Sequence, residues 1–112
     1  SNVKEKYIGN NTKQRIFWHE NSIEIRSVEN QLLLDGEKLE LCVGKNKIIM
    51  DKNQVVLSVG SQRIQMDDKQ ILLQGKGGQL LLSDKVYLEG HGDIRIKGSG
   101  TISVNGSSVN LC

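Results

Sequence analysis

The chain has no proline, and only 4% of its 112 residues are aromatic. Without proline, each change of chain direction falls to Gly, Asn, Asp or Ser, and glycine alone numbers twelve. Without aromatics a thick globular core is hard to build. The hydrophobic 37% is nearly all Ile, Leu and Val, which suits a thin core of repeated aliphatic layers. The two cysteines, Cys42 and Cys112, are too few for a disulfide framework. They read as free thiols in a reducing compartment. A net charge of +2 with both signs interspersed gives no electrostatic case for nucleic acid. No apolar run approaches the roughly 18 residues that cross a bilayer, and no signal-peptide pattern opens the chain. These limits leave one domain or one elongated rod.

What is present is a repeat. Ile23, Leu39, Val55 and Ile71 stand sixteen residues apart, and so do Leu32, Ile48, Ile64 and Leu80. Two places after each comes a second apolar residue: Ile25, Leu41, Leu57 and Leu73, then Leu34, Met50, Met66 and Leu82. The couplets fall alternately nine and seven residues apart, close to one strand and one corner per octad. Strict alternation puts both members of a couplet on one face of a strand. A fixed period of this kind marks an architecture made by stacking, in which each unit buries its apolar face against its neighbours. Turn chemistry fills the gaps: Asp35-Gly36, Gly44-Lys45-Asn46, Asp51-Lys52-Asn53, Gly60-Ser61, Asp67-Asp68 and Asn105-Gly106. Gly44 and Gly60, sixteen apart, are placed for a recurring corner of positive φ. A helix fits poorly, since the 3.6-residue stripe is missing.

After Leu82 the phase changes. Couplets open at Val86, Ile94, Ile102 and Val109, and Gly90, Gly98 and Gly106 recur every eight residues. The expected division is a lead-in over residues 1–22, with a strand from Gln14 to His19 that carries Phe17 and Trp18, and a β-helical body over 23–112.

A lone coil of such short strands leaves apolar faces open. Three arrangements close it: three chains wound about one axis, a triangular single-chain solenoid, or a flattened single-chain solenoid with two strands per turn. The sixteen-residue period taken alone favours the last, whereas the octad that survives beyond residue 82 favours three chains. At about 4.8 Å per strand, twelve couplets make a rod of roughly 55 Å. Leu33, Ile49, Val56, Leu72 and Leu81 lie between couplet members and are predicted to point outward. They would form an apolar outer stripe that something covers, or mark a local exchange of inside and outside.

Chemical motifs are sparse. His19 and His91 lack the spacing of a ligand pair. Gly75-Lys76-Gly77-Gly78 lacks Walker spacing, and Gly98-Ser99-Gly100 lacks a third glycine and a following helix. Asp67-Asp68 reads as a turn rather than a catalytic carboxylate pair. The expectation is therefore no enzyme, no metal and no cofactor.

The stretch Gly90-His91-Gly92-Asp93-Ile94-Arg95-Ile96-Lys97-Gly98-Ser99-Gly100-Thr101-Ile102-Ser103-Val104-Asn105-Gly106-Ser107-Ser108-Val109-Asn110-Leu111 resembles the ending of contractile-injection spike proteins. These are the phage baseplate assembly protein V family and the VgrG spikes of type VI secretion, whose needles carry a G-D-I-x-I-K-like octad and end on a G-S-x-V-x-[LI]-N-like strand. Asn21-Ser22-Ile23-Glu24-Ile25 is similar to the N-S-I-E-[FIL] segment that opens such needles. The likeness covers about residues 14–112 and implies an all-β, intertwined homotrimeric β-helix at the tip of a membrane-puncturing spike.

In that trimer the core would be Ile23, Ile25, Leu32, Leu34, Leu39, Leu41, Ile48, Met50, Val55, Leu57, Ile64, Met66, Ile71, Leu73, Leu80, Leu82, Val86, Leu88, Ile94, Ile96, Ile102 and Val104. The resemblance further implies a PAAR-like tip protein docked on Val109, Asn110, Leu111 and Cys112, a spike base or baseplate hub at the N-terminal end, and transient contact with a target-cell envelope. The expected location is the cytoplasm before assembly, then a virion tail tip or secreted spike. Two other readings stay open: a single-chain β-solenoid scaffold or adhesin, and a fragment of a polysaccharide-degrading tailspike.

Overall fold

A computed structural model describes residues 6–9 and 13–112. Eleven strands follow one another along the chain: β1 (Lys6–Gly9), β2 (Gln14–Trp18), β3 (Ser22–Ser27), β4 (Asn30–Asp35), β5 (Lys38–Val43), β6 (Asn46–Asp51), β7 (Gln54–Val59), β8 (Gln62–Asp67), β9 (Ile71–Gln74), β10 (Gly78–Leu82) and β11 (Val86–Gly90). They form one sheet in sequence order, each strand antiparallel to the next. The protein is all-β, as its pattern predicts.

The corners explain the period. On one edge of the sheet, two residues join each of three successive strand pairs: Val28-Glu29, Gly44-Lys45 and Gly60-Ser61. The first residue of each turn has φ of 57°, 59° and 60° respectively. A positive φ at that position belongs to the tight hairpin turns whose twist matches that of the strands they join. Glycine meets the demand without cost at 44 and 60, whereas Val28 holds a conformation unfavourable to an L-residue by about 1–2 kcal/mol.

On the opposite edge an aspartate folds each of three successive corners. Asp35 Oδ1 accepts the N–H groups of Glu37 at 2.7 Å and Lys38 at 2.8 Å. Asp51 does the same for Asn53 and Gln54 at 2.8 and 3.0 Å, and Asp67 for Lys69 and Gln70 at 2.8 and 3.0 Å. These are Asx turns, in which a side-chain oxygen stands in for a backbone carbonyl. Where a fourth aspartate would come stands Ser83, whose Oγ accepts the Lys85 N–H at 3.3 Å.

One sixteen-residue unit is thus an up strand, a glycine-type hairpin, a down strand and an Asx corner. This corrects the solenoid alternative: the period counts an antiparallel pair, not two strands of a coil. Two-residue connections permit only antiparallel neighbours, since a parallel return needs a dozen residues or more. From β2 to β10 each strand has both ladder neighbours in its own chain.

β2 ends at Trp18, one residue short of the expected strand, and pairs with β3 along its length. The lead-in is therefore continuous with the sheet where it is described; its residues 1–5 and 10–12 lie outside the described residues. At the other end Gly78 pairs with Gly90, and a Cβ on Gly78 would stand 2.0 Å from the Glu89 carbonyl oxygen. The His91 N–H then donates to the Gly77 carbonyl at 2.7 Å, which hangs the remaining chain from this corner.

The shape is a rod. Its principal extents are 70 × 26 × 24 Å and its radius of gyration is 21.4 Å. A compact domain of this length has about 13 Å.

Candidate functional site

Register arranges the couplets into two unbroken apolar ladders on one face. The first runs Ile16, Ile25, Leu32, Leu41, Ile48, Leu57, Ile64, Leu73, Leu80, Leu88. The second runs Trp18, Ile23, Leu34, Leu39, Met50, Val55, Met66, Ile71, Leu82, Val86. Eighteen of the predicted core residues, Ile23 through Leu88, lie on this face together. Ile16 and Trp18 extend it by one strand; both were legible as alternate apolar positions of the lead-in strand.

Nothing among the described residues covers that face. Among the described residues no hydrophobic side chain is buried. Leu57 is 40% exposed, Met50 45% and Val86 70%. The chain exposes 9587 Å² in total, against about 6,200 Å² for a folded monomer of its mass.

The opposite face has one central ladder: Phe17, Glu24, Leu33, Glu40, Ile49, Val56, Gln65, Leu72, Leu81, Tyr87. This accounts for the between-couplet aliphatics. Leu33, Ile49, Val56, Leu72 and Leu81 form a stripe that is half-buried, not open to water. Beside it runs a mostly polar ladder of Arg26, Gln31, Cys42, Lys47, Ser58, Arg63 and Gln74. Long polar side chains lay their stems over such a stripe while their heads stay in water.

The two acids within the stripe are partnered. Glu24 meets Arg26 and, at 3.4 Å, His19 Nε2; Glu40 meets Lys38 at 3.3 Å and Lys47 at 3.9 Å. Cys42 Sγ donates to Glu40 Oε1 at 3.5 Å. Partial burial, then that carboxylate, push the Cys42 thiol above its ordinary value. This face is finished for solvent; the couplet face is not.

Beyond His91 the chain runs on without strand partners among the described residues. Residues 92–112 are all exposed, and among the described residues they make no backbone hydrogen bond to one another or to the sheet. Ile94, Ile96, Ile102 and Val104 are 49–72% exposed. The octad is nonetheless a repeat in space. A Cβ on Gly90 would stand 2.7 Å from Ile94 Cγ1, and one on Gly98 3.2 Å from Ile102 Cγ1. Val109, Asn110, Leu111 and Cys112 are exposed at the end of the chain. His19 and His91 lie at opposite ends of the sheet, His91 Nδ1 beside the Lys76 carbonyl at 3.3 Å. Among the described residues no three His, Cys, Asp or Glu side chains gather as a metal ion would require.

Comparison with family models, with curated proteins and with solved structures finds no match.

Proposed function

We propose that this chain is one of three identical parts of a needle in a contractile injection apparatus, a mechanical rod that pierces a target-cell envelope. The observation that carries this reading is the pair of ten-strand apolar ladders left uncovered among the described residues. Three such sheets, apolar faces inward, make a triangular prism whose outer walls are the polar faces already described. A rod closed in this way has its hydrophobic layer distributed along its length, with no single weak plane.

The finer parts of the reading come from the resemblance in sequence. The three tails wind about one another beyond Gly90, a PAAR-like tip protein docks on Val109–Cys112, and a spike base or hub holds the N-terminal end. Unfolding wound subunits is slow, so resistance is kinetic, as a piercing part requires. An unheated sample in SDS should run at 3 × 12.5 kDa and fall to a single-chain band only on boiling. Immediate dissociation in SDS would remove the mechanical role. Hydrolysis of a polysaccharide by the purified chain would favour the tailspike reading instead.

A further inference from the structure

We infer that residues 91–112 set the register between copies of the chain, by pairing strand to strand with the same segment of neighbouring copies, whereas the sheet of residues 14–90 cannot set it. This rests on the self-association proposed above and adds to it a division of labour.

The sheet face carries too little positional information. Moving one copy along another by sixteen residues sets Ile23 where Leu39 was, Leu41 where Leu57 was, Leu32 where Ile48 was and Met50 where Met66 was. Each replacement is one aliphatic or thioether side chain for another of like size, which packed cores tolerate best. The corners repeat with the same step: Gly44 overlies Gly60, and Asp35 overlies Asp51 and Asp67. A slip of two strands, about 9.6 Å along the rod, leaves a face of the same chemistry. Backbone groups from β2 to β10 do not oppose it, because both ladder neighbours of each of these strands lie within the same chain. Only the strands left overhanging at the two ends count against it. Register is weakly specified wherever one pairing resembles the next.

Residues 91–112 differ on each count. The N–H and C=O groups of residues 92–112 have no backbone partner among the described residues, so a copy out of step leaves them unpaired. Ile94 and Ile102 fold back over Gly90 and Gly98, which fixes where each octad begins. The segment is tied to the sheet by the His91 N–H to Gly77 carbonyl bond, so its alignment is passed to the sheet. Its occupant is therefore the same segment of another copy, whose octads supply the matching edge.

Disulfide trapping tests this in the full chain. In a Cys42→Ser, Cys112→Ser background, one tagged chain carries Leu41→Cys and a second, differently tagged, carries Leu57→Cys. The two are co-expressed and oxidised. With the natural tail, cross-links should join 41 to 41 and 57 to 57, with only traces of 41 to 57. With Ile96→Asp and Val104→Asp added to both chains, the 41-to-57 product should become comparable to the same-number products. The milder Ile102→Ser should give an intermediate share. Circular dichroism checks that the sheet persists. An unchanged product pattern, or mixed products already abundant with the natural tail, would overturn the inference, as would loss of the sheet in both tail variants. Absence of any cross-link with the natural tail would instead strike the parallel assembly itself.

Discussion

Replacing Leu57 with aspartate separates an assembled rod from a free-standing sheet. Leu57 sits mid-ladder between Ile48 and Ile64 on the uncovered face and is 40% exposed in the single chain. Full burial of a leucine is worth about 1.5–3 kcal/mol, so covering the remaining fraction adds about 1 kcal/mol per chain. The variant loses that and more: removing a buried ion from water costs several kcal/mol per charge. Three carboxylates would meet at one level of the prism, and assembly should fail. In an isolated sheet the same carboxylate would stay in water at little cost. Ser58→Asp is the matched control, one residue on and facing outward between Lys47 and Arg63. There the new charge gains opposite-sign cross-strand neighbours worth about 0.2–1 kcal/mol each. Sedimentation equilibrium should give the parent mass for Ser58→Asp and a single-chain mass or aggregate for Leu57→Asp. If Leu57→Asp keeps the parent mass and melting temperature, the couplet face is not an interface.

Three further outcomes follow from the corners. Val28→Gly removes the only positive-φ non-glycine among the described residues and should stabilise each chain by roughly 1 kcal/mol net of glycine's entropy, read as a higher denaturant midpoint; an unchanged or lower midpoint would contradict the turn assignment. Gly78→Ala puts a methyl group against the Glu89 carbonyl and should cost about 1–3 kcal/mol or more; faster amide exchange confined to Val86–Gly90 is the expected signature. Asp35, with Glu37 and Lys38 N–H groups donating to it, is held below the ordinary carboxylate value. A carboxyl depressed in the folded state stabilises above its unfolded pKa and loses that contribution as pH falls through the folded one. The stability gap between the parent and Asp35→Asn, measured by denaturation, should therefore close as pH drops below about 4; a gap constant with pH would exclude the linkage.

Much of the fold was legible because the period was. The couplets Ile23/Ile25 through Leu80/Leu82 put the ladders on one face, and Gly44 and Gly60 marked one edge. Strand direction was not, since the same apolar pattern serves an up-and-down sheet and a two-strand solenoid. The discriminating signal was there in Val43-Gly44-Lys45-Asn46 and Val59-Gly60-Ser61-Gln62, where only two residues separate paired strands. Asp35, Asp51 and Asp67 stood out as turn residues, but their shared role as acceptors of two N–H groups needed coordinates. The outward aliphatics looked anomalous because a strand pattern shows alternation along the chain and hides neighbours across it. Leu33 beside Glu40 and Ile49 beside Val56 become a shielded stripe only once register is known.

The proposed assembly from copies of the chain makes its sharpest demand at residues 92–112, whose backbone has no partner among the described residues. Hydrogen–deuterium exchange on the native full chain, read amide by amide over residues 92–112, is the decisive measurement. Protection comparable to that of Asn46–Asp67 is the expected result. Exchange at the rate of an unstructured peptide would contradict it.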